Sequence, residues 1–316
     1  MVEIEVALDW TPNTNHTGFY VAQANGHYDE AGVAVQIRSP GEDNYDQTPA
    51  KRVATGGSTV AIAPSESAIS YQTHPEYSSL VAIAAVCQQD TSAIVALGDS
   101  DINRPADLDG RTYASYDARF EDHIVEQLIR NDSGDGTIEI VTPPKLGIFD
   151  TLVEGDADAT WVFMPWEGIL AERDGVSLTP FYLDDYDIPY GYTPLLLARP
   201  DTIETRAQEL KAFLAATAKG YEYAAQNPTE AATILGETAD GPETLDDEAF
   251  LERSQHELSG HYLTDDGDWG HMEHDRWAAF VNWLADEAIL ATIDGEHIPA
   301  DDIDPETLFT NELLPQ

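Results

Sequence analysis

The chain has 316 residues, of which 42% are apolar, so it is long enough for two lobes of roughly 150 residues each. No run of the sequence approaches the roughly 20 consecutive apolar residues that a membrane span needs, so insertion in a membrane is not expected. Its 59 acidic residues against 15 basic ones give a formal net charge of −44, which repels nucleic acid and anionic membranes and excludes both as expected partners.

The acidic residues are spread along the whole chain among apolar segments, which indicates folded acidic surfaces rather than a disordered tail. Such self-repulsion destabilises a compact state in dilute buffer, but molar salt screens it because the Debye length falls to about 3 Å. The composition therefore predicts a protein from a salt-saturated environment. The single cysteine, Cys87, lies in an apolar run, so it excludes an intramolecular disulfide and is expected to be a buried, inert thiol.

The first 90 residues predict three consecutive βα units. Apolar residues alternate in the first strand, "VEIEVALDW", and take helical spacing in "TGFYVAQANGHYDEAG", where Gly26 and Gly32 mark the end of the helix. The strands "VAVQIRSP" and "STVAIAP" follow, each before a helix, "DQTPAKRVATGG" and "SESAISYQTHP". This order predicts parallel strands with crossover helices.

The rest of the chain predicts a second lobe and a return to the first. A long strand pair, "SLVAIAAVCQQDTSAIVAL", leaves the first lobe, a second βα series follows, and "TPLLLARPD" predicts a returning strand before a helical C-terminal part. The predicted fold class is α/β, with two lobes joined by two crossing strands. Lobe I comprises residues 1–90 and 195–316, lobe II comprises residues 91–194, and a ligand cleft is expected between them, beyond the carboxyl ends of strands.

Four segments carry a family resemblance, namely "LDWTPNTNHTGFYVAQANGHYDEAGVAVQI", "IAPSESAISYQ", "DLDGRTYAS" and "GDADATWVFMPWEG". Together they resemble the thiamine-pyrimidine branch of the type II periplasmic-binding-protein superfamily, over roughly Val2 to Arg199. The resemblance implies the type II periplasmic-binding-protein fold and a substrate-binding protein of an ABC importer. The implied ligand is hydroxymethylpyrimidine or formylaminopyrimidine, the implied partner is an ABC permease, and a monomer is expected.

The same branch includes the fungal thiamine-pyrimidine synthases, which leaves a cytoplasmic synthase-like enzyme as an alternative. Those enzymes are similar in fold but use a histidine, a lysine that holds pyridoxal phosphate and a cysteine-rich iron-binding stretch. The corresponding segments here, "APSESAISYQ" and "DYDIPYGYTPLLL", contain no lysine, histidine or cysteine. No catalytic residue, metal or cofactor is therefore predicted, and a binding protein for another small ligand, such as an alkanesulfonate or nitrate, stays open.

An aminopyrimidine is a flat ring with an amine donor beside a ring-nitrogen acceptor, so it needs aromatic faces and a carboxylate or amide at its edge. Residues of these types follow the predicted strands of both lobes. The candidate ligand-binding residues are Asp9, Trp10, Asn13, His16, Ser65, Glu66, Gln88, Tyr116, Phe120, Trp161, Trp166, Glu167, Tyr190 and Tyr192.

Several candidates have a structural alternative. Trp10 and Trp161 could pack in a core, and His16 could cap the following helix. Glu66 could be a carboxylate at a helix N-terminus, where the helix dipole favours negative charge. Glu167 is favoured for ligand contact because "MPWEG" places an aromatic and a carboxylate after a proline within an apolar run. The first residues lack the basic and apolar regions of a signal peptide, so the protein is expected either to be extracytoplasmic with its leader removed or to be cytoplasmic.

Overall fold

The computed structural model describes residues 1–315, which pack as two compact units. Unit 1 contains residues 1–90 and 191–277 and the chain from Ile303 onward, and unit 2 contains residues 91–190 and 278–302. Among the described residues no helix is long and apolar enough to cross a membrane.

Ten strands form two five-stranded sheets within residues 1–315. The strands are β1 (Val2–Ala7), β2 (Val33–Arg38), β3 (Val60–Ala63), β4 (Val81–Ala85), β5 (Ser92–Leu97), β6 (Arg111–Ala114), β7 (Ile138–Val141), β8 (Ala159–Phe163), β9 (Leu178–Phe181) and β10 (Leu195–Ala198).

Twelve α-helices accompany the strands in the same described range. They are α1 (Thr17–Ala24), α2 (His27–Glu30), α3 (Pro49–Ala54), α4 (Ser65–Gln72), α5 (Glu121–Asn131), α6 (Ile148–Val153), α7 (Ile169–Arg173), α8 (Pro200–Thr205), α9 (Ala207–Gln226), α10 (Pro228–Thr238), α11 (Glu248–Ser259) and α12 (His274–Asp286).

The sheet of unit 1 has the strand order β2-β1-β3-β10-β4. β1 pairs in parallel with both β2 and β3, as the repeated βα order predicts. The returning strand β10 lies between β3 and β4 and is antiparallel to both. β3, β4 and β10 contain only apolar residues and nearly all of their side chains are buried, as is typical of strands in a sheet that is covered on both faces.

The sheet of unit 2 has the order β7-β6-β8-β5-β9. β6 pairs in parallel with β7 and β8, whereas β5 is antiparallel to β8 and β9. The second βα series predicted from the sequence is therefore confirmed, and the α/β class holds for both units.

The compact units and the predicted lobes differ at residues 278–302, which the sequence analysis gave to lobe I with the rest of the C-terminal part. Within unit 2 the Phe280 ring packs edge-on against Tyr190 with centroids 5.0 Å apart, and the Arg119 guanidinium donates to the Ala291 carbonyl oxygen. Residues 191–194 lie in unit 1 instead. The chain passes between the units at four junctions, and α12 runs through one of them.

Candidate functional site

The parallel strands of unit 1 bring three polar segments to one edge of the sheet. In the register of β1 with β2, Ala7 lies opposite Arg38, and β3 ends at Ala63 on the other side of β1. Carboxyl ends of parallel strands share an edge, so the residues after each strand lie together. These are Asp9 to His16 after β1, the loop before α3 that contains Tyr45, and Ser65 with Glu66 at the start of α4.

His16 is fully buried and holds Asp9 in place. The Asn13 backbone N–H donates to His16 Nδ1 at 3.2 Å, so the ring proton is on Nε2, which donates to Asp9 Oδ1 at 2.7 Å. The Asn13 side-chain oxygen accepts from the Asn15 N–H at 2.9 Å and caps the 3₁₀ turn Thr14–His16. His16 thus caps a helical turn and also orients a carboxylate whose side chain stays 17% exposed.

Trp10 and Tyr45 stand beside that carboxylate. Their ring centroids are 6.2 Å apart at an interplanar angle of 57°, and the Tyr45 hydroxyl donates to the Asp9 main-chain oxygen at 2.8 Å. Both rings are half-buried. Sequence reasoning missed Tyr45, although it follows the end of β2 in the polar segment "GEDNYDQ", where the strand-end rule could have found it.

Ser65 and Glu66 are buried at the start of α4, where they are 0% and 6% exposed. The cap of this helix is Pro64, so Ser65 is its first residue, and the Ser65 backbone N–H donates to the Tyr192 carbonyl oxygen at 2.9 Å. The Ser65 hydroxyl oxygen is buried and finds no hydrogen-bond partner among the residues that the structure describes.

Gln88 and Tyr192 are held by unit 1 itself. The Gln88 side-chain amide donates to the His271 carbonyl oxygen at 3.1 Å, and the Tyr192 hydroxyl accepts from the Glu273 N–H at 2.9 Å. The Arg276 guanidinium lies 4.0 Å from the centroid of the Tyr192 ring and donates to the carbonyl oxygens of Gln88 and Gly191. Tyr192 is only 1% exposed, and this cluster lies within unit 1, where it ties the segment that ends at Asp90 to the segment that begins at Gly191.

Unit 2 presents its own strand-end segment after β6. Tyr116 and Phe120 both precede α5, so they do not share a helix face, and Phe120 is 2% exposed. Between them the backbone turns around the Glu121 carboxylate, which accepts from the Tyr116 N–H at 3.0 Å and the Ala118 N–H at 3.2 Å. The Tyr113 hydroxyl adds a third donor at 2.8 Å. Burial raises the pKa of Glu121, and these three donors act in the opposite direction.

Replacing Glu121 with glutamine is expected to destabilise the protein by about 3 kcal/mol, because an amide cannot accept from all the buried donors around this turn. Urea unfolding at fixed salt measures the effect. Glu139→Gln, on the exposed face of β7, is the matched control and should change stability little. Equal unfolding midpoints for the two variants would contradict the role given to Glu121.

Trp161 and Tyr190 form an aromatic cluster in unit 2. Their ring centroids are 5.2 Å apart, and the Phe280 ring closes the other side of Tyr190. The Trp161 indole N–H donates to Ser92 Oγ at 2.7 Å, and the Tyr116 hydroxyl donates to the Trp161 carbonyl oxygen at 3.1 Å. Tyr116 and Trp161 keep part of their surface exposed, whereas Tyr190 is 9% exposed. Phe280 was missed because the sequence placed it in the other lobe.

Trp166 and Glu167 lie in a π-helical turn, Met164–Gly168, that joins β8 to α7. Both are buried, at 5% and 8% exposure, and Glu167 Oε2 accepts from the Phe163 N–H at 3.1 Å. π-helical turns are uncommon and occur frequently at functional sites. Within residues 1–315 no group of three or more His, Cys, Asp or Glu side chains is placed to hold a metal ion.

The two α/β units have the fold of periplasmic binding proteins. The alkanesulfonate-binding protein SsuA from Xanthomonas axonopodis pv. citri, solved with MOPS, superposes with a TM-score of 0.73 at 9% identity, covering 98% of each chain. A Candida albicans protein described as having the generic periplasmic binding protein fold superposes with a TM-score of 0.60 at 12% identity, covering 84% of this chain and 93% of its own. The predicted fold class is confirmed.

The sequence belongs to the NMT1/THI5-like family, which it matches over residues 13–231. The formylaminopyrimidine-binding protein of Halalkalibacterium halodurans is 26% identical over 282 residues, which cover 89% of this chain and 84% of the relative. The family resemblance noted in the sequence is therefore confirmed at the level of the family.

Proposed function

We propose that this chain is the substrate-binding protein of an ABC importer and captures a thiamine-precursor aminopyrimidine, either hydroxymethylpyrimidine or formylaminopyrimidine. The family match and the fold support a substrate-binding role, and the formylaminopyrimidine-binding relative supports the ligand class. A fold hosts many functions, so the ligand has to be argued from the residues at the site.

The Asp9 carboxylate is the observation that carries the ligand assignment. His16 occupies Oδ1, whereas Asp9 Oδ2 has no hydrogen-bond partner among residues 1–315, and the side chain is partly exposed. A carboxylate oxygen accepts but does not donate, so it suits the exocyclic amine of an aminopyrimidine. Because the buried imidazole fixes the orientation of the carboxylate, its free oxygen is pre-organised for that contact.

The stacking contacts of this proposal are made by the aromatic rings beside Asp9. Trp10 and Tyr45 flank Asp9 in unit 1, and both rings are half-buried. Aromatic rings favour offset or edge contacts with a planar heterocycle, and they leave its edge to the hydrogen-bonding group. In this proposal the stacking residues are Trp10 and Tyr45, and Glu167 supports the π-helical turn of unit 2.

The proposal is a binding protein and not a pyrimidine synthase. The start of α4, where the enzymes of the resemblance carry lysine or histidine, reads "SESAISYQ". The single cysteine, Cys87, is 0% exposed, and burial raises the pKa of its thiol far above the usual range, so it is neither a nucleophile nor an iron ligand. In this proposal the candidate residues bind and orient a ligand and carry out no covalent chemistry.

The cellular setting is part of the same proposal. An importer's binding protein works outside the cytoplasm against a permease, and we place this chain there as a monomer. The net charge of −44 further suggests a halophile, in which high salt screens the acidic surface.

Titration calorimetry in molar KCl tests the ligand assignment. Asp9→Asn should weaken aminopyrimidine binding by about ten- to a hundredfold, because it removes a hydrogen bond to a charged acceptor worth about 1.5–3 kcal/mol. Asp29→Asn, an exposed position of α2 with the same change in charge, is the control and should bind like the parent protein. Trp10→Ala should cost about 0.5–1.5 kcal/mol beyond the lost contact area.

Two further experiments distinguish a binding protein for another ligand and a synthase-like enzyme from the proposed function. Clear binding of nitrate or an alkanesulfonate, with no heat from any aminopyrimidine, would reject the proposed ligand and leave the binding-protein fold in place. Release of a new pyrimidine from the protein after incubation with iron and pyridoxal phosphate would instead identify an enzyme.

A further inference from the structure

Helix α11 carries two polar residues on its buried face. The apolar residues Phe250, Leu251 and Leu258 follow helical spacing, and Ser254 and Gln255 are buried on the same face. Both polar residues are 0% exposed. A buried polar side chain is costly unless it forms hydrogen bonds, so these two residues need partners elsewhere in unit 1.

The partners are the residues on either side of His16. The Ser254 hydroxyl is hydrogen-bonded to the Thr14 hydroxyl at 2.7 Å, and the Thr17 hydroxyl donates to Gln255 Oε1 at 2.6 Å. Thr14, His16 and Thr17 are all at most 1% exposed. Side chains of α11 therefore hold both the start of the 3₁₀ turn and the residue that follows it.

Tyr262 completes a chain of hydrogen bonds between these residues. The Gln255 side-chain amide donates to the Tyr262 hydroxyl oxygen at 3.0 Å, and the Tyr262 hydroxyl donates to the Thr14 carbonyl oxygen at 2.6 Å. Tyr262 is 0% exposed, and burial raises the pKa of its phenol, so the hydroxyl keeps the proton that it donates. The donors therefore run in one direction, from Thr17 through α11 and Tyr262 to Thr14.

Both ends of this chain are close in sequence to the residue that orients Asp9. His16 Nε2 donates to Asp9 Oδ1 at 2.7 Å, and the turn from Thr14 to His16 sets the position of the imidazole. A binding group keeps a precise orientation only when its neighbours are themselves fixed by packing and hydrogen bonds. The buried polar residues of α11 supply those hydrogen bonds.

We propose that Gln255 and Tyr262 are positioning residues for the ligand site: they fix the turn that carries His16 and thereby hold the Asp9 carboxylate in its binding orientation. The inference rests on the proposed function, because Asp9 is taken there as the ligand-binding group. Both positioning residues lie beyond residues 13–231, the range of the family match. Ligand affinity therefore depends on the C-terminal helical part, although the residues proposed to contact the ligand lie in the first two βα units.

Tyr262→Phe, titrated with formylaminopyrimidine in molar KCl, tests this role because it removes one hydroxyl and keeps the buried ring. Tyr28→Phe is the matched control, since Tyr28 is 3% exposed and its hydroxyl is hydrogen-bonded to the Thr217 hydroxyl at 2.9 Å. Both variants should lose similar stability to urea. Only Tyr262→Phe should weaken binding, by about three- to tenfold, which corresponds to the net contribution of one hydrogen bond. Thr17→Val removes the first donor of the chain and should weaken binding in the same direction.

The His16 imidazole reports the same role without any ligand. NMR correlations between the ring nitrogens and protons of isotope-labelled histidine, assigned with His16→Gln, follow the Nε2 proton that Asp9 accepts. Tyr262→Phe should shift the His16 ring signals, and Tyr28→Phe should leave them in place. An equal loss of global stability in the two variants cannot produce that difference.

Unchanged His16 signals in Tyr262→Phe would overturn the inference, and so would equal affinities of Tyr262→Phe and Tyr28→Phe. If Asp9→Asn weakens binding while Tyr262→Phe binds like the parent protein, the positioning role fails and the proposed function stands. If the parent protein binds no aminopyrimidine, the proposed function fails, and the His16 signals still decide whether the turn depends on Tyr262.

Discussion

Gly220→Ala is expected to destabilise the protein by about 3 kcal/mol or more, through overpacking where α9 crosses α1. A Cβ at position 220 would lie 2.0 Å from the main-chain oxygen of Gly18 and 2.9 Å from the Ala22 Cβ. No side-chain rotation can relieve a collision with a backbone oxygen, so the two helices must separate. In an open helix the same substitution would stabilise by up to about 1 kcal/mol, and the sign of the effect is therefore diagnostic.

The consequence extends to the candidate site. The next residue of α9, Tyr221, donates its hydroxyl to the Asn15 carbonyl oxygen at 2.7 Å, in the turn that ends at His16. Displacing α9 from α1 pulls on this turn and on the Asp9 carboxylate that His16 orients, so aminopyrimidine affinity should fall together with stability.

Urea unfolding in molar KCl measures the loss. Gly260→Ala is the control, because a Cβ there has no atom within 4 Å and the backbone has an ordinary φ of −72°. If the two alanine variants unfold at the same urea concentration, the close approach of α1 and α9 does not make an added Cβ at position 220 destabilising, and the prediction is wrong.

The fold follows from the sequence because its strands and helices differ clearly in pattern. β3, β4 and β10 are short apolar runs between polar turns, and the alternation of strand and helix leaves parallel pairing with crossover helices as the simple solution. The hydrophobic pattern does not indicate which other element each apolar face packs against. The helical spacing around Phe280 predicts α12, but only packing against Tyr190 assigns residues 278–302 to unit 2.

The candidate site also has features that the sequence predicts and features that it does not. Strand ends predicted the positions of Asp9, Glu66 and Glu167 at sheet edges, since that rule depends on topology alone. Local backbone conformation was not predictable: Asn44 and Tyr45 both have positive φ, at 54° and 60°, and this turns the Tyr45 ring toward Asp9. Non-glycine residues adopt that conformation rarely, so sequence propensity does not indicate it.

The exposed fraction of each aromatic side chain also could not be predicted from residue type. Tyr192 and Trp166 carry the chemistry of ligand-binding aromatics, yet they are 1% and 5% exposed. Tyrosine and tryptophan serve equally in cores and in binding sites, because each joins a large apolar surface to one polar atom. The contacts of Tyr192 with Arg276 and Glu273 decide its place, and those partners lie about 80 residues further along the chain.

Molar KCl is expected to raise the melting temperature by about 10 °C or more over dilute buffer, as the net charge of −44 is screened. Between 0.1 M and 1 M salt the Debye length falls from about 10 Å to about 3 Å, which removes repulsion between neighbouring exposed carboxylates. Asp184, Asp185 and Asp187 are such a group, all exposed within four residues of unit 2.

Calorimetric melting across a KCl series measures this effect, with sucrose as a control for solvent exclusion without charge screening. The variant with asparagine at positions 184, 185 and 187 should melt higher than the parent in dilute buffer and gain less from salt, because part of the repulsion is already gone. A melting temperature that stays flat or falls as KCl rises would contradict the salt-adapted interpretation. An equal gain in sucrose and KCl would assign the stabilisation to solvent exclusion, which strengthens burial in any protein, acidic or not.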